Sequence, residues 1–187
     1  HMEQDLPFPT IVAFDEKAAT LHFHNRRGRE AAPGTTFVMD AGAMVDGYAS
    51  DITRTWTSSN AEPVFVKLVE SVDRFQRDLV AMVTPGRPYL EIHIAAHRFT
   101  AQVLCELGVF KCSVDEAFDS GLTRTFLPHG VGHHLGIQVH DVGGRQASPD
   151  GGTVPPPEAY PFLRTTRPLA PGHVVTIEPG IYFIPML

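Results

Sequence analysis

Short β-branched or alternating runs occupy residues 10–14 and 20–24 and flank Asp15-Glu16-Lys17, which predicts an N-terminal β-hairpin. A second pair of strand-like runs, 36–40 and 48–56, is joined around Asp46-Gly47, a dipeptide suited to a tight hairpin turn. The period then lengthens. From Pro63, Val66, Val69, Val72, Phe75, Leu79, Val80 and Val83 recur at helical spacing until Pro85-Gly86 ends the pattern. A second helix is predicted over 89–107, with Ile92, Ala95, Ala96, Phe99, Val103 and Leu107 on its buried side and Gly108 as its stop. Ser113 and Glu116 have the spacing of a capping box and open a short third helix ending near Gly121. From Phe126 onward the chain is rich in Gly, Pro and His, with β-like runs at 136–142 and 173–178 and a Pro-rich loop over 148–161 between them. No repeat recurs at solenoid periods. Strands, then helices, then strands predict an α+β fold, with helices packed on one face of a largely antiparallel sheet.

Length and composition narrow this picture. The 187 residues suit one domain with a real core. His1 and Met2 read as an expression scar, leaving 3–187 as the domain. No run approaches the roughly 18 apolar residues of a membrane helix, and the N-terminus lacks the order of a secretory signal, so a soluble, cytoplasmic protein with no membrane partner is expected. Cys105 and Cys112 stand without companions and read as reduced thiols. A formal charge of -6 without clustered Lys and Arg argues against nucleic acid as a partner. Acidic residues together with ten histidines suit hard and borderline divalent metals instead.

Three groups of residues carry candidate chemistry. If Asp46-Gly47 is the turn, positions summing to about 93 face one another. Asp40 then opposes Thr53, and Asp51 lies two residues along on the same sheet face. Two carboxylates so placed either hold a cation between them or are ordinary exposed strand and turn acids. Next come His129, His133 and His134 in Pro128-His129-Gly130-Val131-Gly132-His133-His134, with His140-Asp141 following. Glycines at 130 and 132 oppose a helix and no Glu follows His129, so the helical zinc-protease motif does not apply. In extended backbone His129, Val131 and His133 share one side, and the glycines admit a ligand or another strand. Finally, Glu178 ends a β-rich run and is fixed by Pro179-Gly180, either as a strand-end glutamate or as a carboxylate met by a cation. Two Asp, one His and one Glu form an oxygen-rich set suited to Mn, Co or a dinuclear Zn centre and to hydrolysis.

In order and spacing, Met39-Asp40-Ala41-Gly42-Ala43, residues 47–55, Leu127-Pro128-His129-Gly130-Val131-Gly132-His133, Val139-His140-Asp141-Val142-Gly143 and Thr176-Ile177-Glu178-Pro179-Gly180 resemble the pita-bread metallopeptidases. Similarity to the bacterial prolidases, which are Xaa-Pro dipeptidases, extends through residues 160–167 and covers nearly the whole chain. The resemblance implies a partial pita-bread fold and metal-dependent hydrolysis of dipeptides ending in proline. It implies that Asp40 binds one metal, that Asp51 bridges two, and that His133 and Glu178 bind the other. Glu178 would also be the general base. His129 and His140 would hold substrate and stabilise the tetrahedral intermediate, with His22 a further histidine beside the site. Arg164 would grip the substrate's terminal carboxylate, a task that suits a planar guanidinium.

The chain also departs from the family pattern. Members carry a bridging glutamate on a strand beyond the position of Leu187, and a first helix and strand and a separate N-terminal domain that are not in this sequence. The expectation is therefore one tightly held metal, with manganese first and cobalt or zinc as alternatives, weakened dipeptidase activity, and self-association through exposed sheet edges. Two other functions are to be weighed: a noncatalytic binding or assembly module, and an Xaa-Pro aminopeptidase. Arg164 discriminates against the latter, because a carboxylate clamp excludes longer peptides.

Overall fold

A computed structural model describes residues 6–21, 23 and 34–184. Strand β1 (Ile11–Phe14), β2 (Thr36–Ala41) and β5 (Ile52–Thr57) form an antiparallel sheet in the order β1-β2-β5. Asp40 pairs with Thr53 and Ala41 with Ile52, so the register summing to 93 holds. It holds through the tip as well, where β3 (Met44–Val45) pairs with β4 (Tyr48–Ala49). Asp46 and Gly47 both take positive φ, 50° and 79°, as a type I′ turn demands. The predicted long strand is split at Ser50-Asp51. The Ser50 hydroxyl accepts a hydrogen bond from the Ala43 amide, and a Cβ on Gly42 would fall on the Ser50 carbonyl oxygen. Only glycine lets the two strands approach there.

Among the described residues the predicted N-terminal hairpin is not seen. Asp15–Ala19 make a 3-10 turn, and β1 pairs with β2 instead. Asp15 secures this by accepting hydrogen bonds from the Thr35 and Thr36 amides. Thr20, Leu21 and Phe23 lie in no strand, and His22 and His24 fall outside the described residues.

Helix α1 (Pro63–Ala81) begins at a proline, whose missing amide is an orphan donor at a helix start in any case. Its buried residues are Leu68, Phe75 and Leu79, at helical spacing. Helix α2 (Tyr89–Glu106) stops where predicted, with Gly108 at φ 71°. The two helices meet through Phe75 and Phe99, stacked with centroids 5.7 Å apart. Helix α3 (Val114–Asp119) carries the predicted capping box, and α4 (Thr123–Phe126) is a single turn that periodicity did not predict. The helices close on Leu127, Val131, Leu163 and Leu169 from the C-terminal segments, and that union is the core. Each fully buried side chain of this size is worth about 1.5–3 kcal/mol.

The β-like run at 136–142 is irregular, with Ile137 and Val142 exposed. Its alternation meets no partner strand among the described residues. The pairing falls earlier: Thr176 N donates to His133 O (2.9 Å), Glu178 N to Val131 O (2.8 Å), and Leu135 N to Val174 O (3.0 Å). Residues 131–135 and 174–178 thus lie antiparallel, although they qualify only as a bridge at His134 and Val175. Within the Pro-rich segment a small hairpin, β6 (Gln146–Ser148) and β7 (Gly151–Thr153), also escaped prediction.

Candidate metal centre

Two backbone devices bring the candidate residues together. The β2–β5 register sets Asp40 and Asp51 on one sheet face, and the 131–135/174–178 pairing sets His133 beside Glu178. Gly132 makes the second approach possible, since a Cβ there would fall on the Thr176 carbonyl and the Tyr89 hydroxyl. Asp51, His133 and Glu178 each place a ligand atom within 4.8 Å of the others. His133 Nε2 lies 3.3 Å from Asp51 Oδ2 and 3.1 Å from Glu178 Oε1.

The surrounding groups orient this triad. His133 Nδ1 is 2.9 Å from the His134 carbonyl, which fixes its proton there and aims Nε2 at the carboxylates. Thr176 ties the two strands, accepting from the His133 amide (3.0 Å) while its hydroxyl donates to Glu178 Oε1 (2.8 Å). Burial works against a charge on His133, but hydrogen bonds to Asp51 and Glu178 outweigh it and lift its pKa to about 9. Burial alone would raise Glu178; the His133 partner and Thr176 hold it below the usual range. Asp40 stands outside the tight grouping yet within reach of its field. Burial pushes its carboxyl up, and the charges of Asp51 and Glu178 add to this, partly opposed by Thr53. Its Oδ1 is buried and has no hydrogen-bond partner among the described residues.

Such a set fits a divalent cation. It combines two carboxylates, an imidazole with an oriented Nε2 and an orphaned carboxylate oxygen, converging where a cation would relieve both repulsion and desolvation.

Of the other predicted residues, His140, Arg164 and His129 lie near it. The His140 ring stands perpendicular to His133 with centroids 4.4 Å apart, and its pKa is lowered by burial and by the charges of His133 and Arg164. Arg164 is exposed at the site's flank. His129 Nδ1 meets the Gly130 carbonyl at 2.8 Å, its buried Nε2 has no partner among the described residues, and its ring lies against Tyr182. His22 lies outside the described residues.

Sequence reasoning passed over Tyr182 and Thr176. Tyr182 is pushed up to about 12 by burial and by the charges of Glu178 and Asp40, so its phenol stays protonated beside the carboxylates. Thr176 was legible in principle: two residues before Glu178 in extended backbone, it shares that residue's face.

The model of metallopeptidase family M24 matches residues 1–186. The chain belongs to metallopeptidase family M24. Among curated M24 relatives it is 45% identical over 183 residues to the Xaa-Pro dipeptidase of Stenotrophomonas maltophilia strain K279a, covering 98% of this chain and 41% of that protein. It is 43% identical over 185 residues to the Xaa-Pro dipeptidase of Shewanella amazonensis, covering 99% of this chain and 42% of that protein. This M24 chain therefore spans about two-fifths of the length of the curated relatives it matches. Among solved structures, aminopeptidase P of Pseudomonas aeruginosa superposes with TM-score 0.79 at 32% identity, over 97% of this chain and 38% of that one. Zinc-substituted Escherichia coli aminopeptidase P in complex with product gives 0.80 at 31% identity, over 97% and 38%. The fold is accordingly α+β and a partial pita-bread fold. Among the described residues, no helix is long and apolar enough to cross a membrane.

Proposed function

We propose that this chain carries the metal-dependent chemistry of an Xaa-Pro dipeptidase, hydrolysing dipeptides with C-terminal proline. The observation that carries this is the convergence of Asp51, His133 and Glu178, from three distant segments, within 4.8 Å. A divalent metal, manganese first and cobalt or zinc as alternatives, would be held by these three with Asp40 beside them. When bound, it supplies a nucleophilic hydroxide from water at neutral pH and polarises the scissile carbonyl. The protein's own groups do the rest. Glu178 takes up the attacking water's proton, a role suited to a carboxylate kept ionised at neutral pH by His133 and Thr176. His129 and His140 hold the substrate and donate toward the developing oxyanion. Arg164 grips the terminal carboxylate, supported by its position on the His140 side of the site. His22 is assigned to the same substrate-binding group from its sequence position.

Proline release from an Xaa-Pro dipeptide, with and without manganese, tests the proposal. Activity that requires metal and vanishes in Asp51→Ala supports it, and none under any metal favours a noncatalytic module. The structural likeness to aminopeptidase P favours a second substrate class, longer peptides with proline in second position. Cleavage of an Xaa-Pro tripeptide faster than of the dipeptide would select it. The same reading assigns the protein to the cytoplasm and expects self-association. Exposed Val12, Phe14, Ile52 and Trp56 on the two edge strands support association, and light scattering checks it.

A further inference from the structure

One face of α2 carries Tyr89, His93 and His97 at successive intervals of four, all three almost completely buried. A polar row of this kind inside a core needs partners, and the first two of its members find them on the segments that form the metal centre. The Tyr89 hydroxyl donates to the Thr176 carbonyl at 2.8 Å. The Val131 amide donates to His93 Nδ1 at 3.3 Å. His97 Nδ1 meets the Thr123 hydroxyl at 3.0 Å.

Val131 occupies a decisive place. Its carbonyl accepts from the Glu178 amide, it sits midway between His129 and His133, and its side chain is wholly buried. Val131 O accepts from the paired strand, but the Val131 amide donates to His93 and not to a carbonyl of that strand. We propose that His93 is a positioning residue for the metal centre, fixing through the Val131 amide the strand from which His129 and His133 project. This rests on the metal-centre reading above. Accepting from an amide requires the lone pair on Nδ1, so the ring is neutral with its proton on Nε2. The His93 ring packs perpendicular to that of Tyr160, with centroids 4.6 Å apart. Tyr89 does the same for the opposite strand, so α2 grips both halves of the ligand-bearing pair from beneath.

The alternative is a histidine that merely fills space, and ring volume separates the two. Phenylalanine keeps the ring and loses the acceptor; asparagine loses the ring but sets a carbonyl oxygen where Nδ1 stood. Manganese affinity is measured by competition with a chelator for the wild-type chain, His93→Phe and His93→Asn, each checked for folding by circular dichroism. The expected result is a loss of about tenfold in His93→Phe, the lower end of what disturbing the support of a metal ligand costs, and restoration to near wild type in His93→Asn. Nitrogen-15 NMR of the wild-type chain should show His93 with Nδ1 unprotonated, a readout that stands even where His93→Phe fails to fold. Wild-type affinity in His93→Phe, an equal loss in His93→Asn, or a proton on Nδ1 overturns the positioning role alone. A wild-type chain that binds no manganese, cobalt or zinc overturns the metal centre and this role together.

Discussion

The imidazole of His133 stands between two carboxylates, with its far nitrogen pinned to the His134 carbonyl. A cation placed there exchanges one charge for a larger one at the same point, so each ligand's removal has a distinct signature. Replacing Asp51 or His133 by alanine deletes a donor from the tight triad and is expected to lower manganese affinity by more than about 100-fold, beyond what outer-shell changes cost. Asp40→Ala removes a carboxylate outside the triad and should cost visibly less, at most about tenfold. Isothermal titration of the three variants checks the ranking. Equal losses in all three would place Asp40 among the principal ligands.

At the scale of elements, helix α2 and the pairing of 131–135 with 174–178 form one unit. Gly132→Ala sets a methyl group against the Thr176 carbonyl, a backbone atom that cannot swing aside. The expected destabilisation is about 1–3 kcal/mol, as for overpacked sites generally, with weakened metal binding alongside, and urea unfolding and metal titration on one sample read both. The same helix sets an acid limit. Burial is the first cause that lowers His93 to about 3 and His97 to about 4, from 6.5 in the unfolded chain. Below pH 6.5 the unfolded chain therefore binds protons that the folded chain refuses, and stability falls as pH falls. Each histidine contributes a slope approaching about 1.4 kcal/mol per pH unit, and His134, His140 and His173, lowered in the same direction, add to it. His133 is raised to about 9, so its opposing contribution fades as the unfolded chain also takes up its proton below pH 6.5, and it adds no slope near pH 5. Urea midpoints between pH 6.5 and 5 should fall steeply, and His97→Asn, which keeps a partner for Thr123, should remove about one proton's worth. An unchanged slope would mean that His97 titrates normally.

For the whole molecule, a ligand that binds only the folded chain stabilises it by mass action. Manganese at about 1,000 times its dissociation constant adds about 4 kcal/mol, or roughly 10 °C in melting temperature for a chain of this size. Calorimetry with manganese, then with excess chelator, should show the rise and its reversal, and metal analysis after dialysis should find about one ion per chain. A chain indifferent to manganese, cobalt and zinc would argue for the noncatalytic module.

Much of this architecture is local, and local architecture can be read from residues in order. Asp46-Gly47 fixed the hairpin register to the residue, because only a left-handed pair closes that turn, and with it the meeting of Asp40 and Asp51. Pro63, Gly108 and the Ser113–Glu116 box marked helix ends because each satisfies or avoids orphan backbone groups near at hand. The tertiary structure decided what depends on partners distant in the chain. Among the described residues, strand β1 paired with β2, the 136–142 alternation found no strand to pair with, and residues 131–135 were taken instead by 174–178. The buried row of Tyr89, His93 and His97 looked like any helix face until the backbone it supports was in place. Periodicity records which side of an element is buried; it carries no information about which distant amide or carbonyl that side will meet.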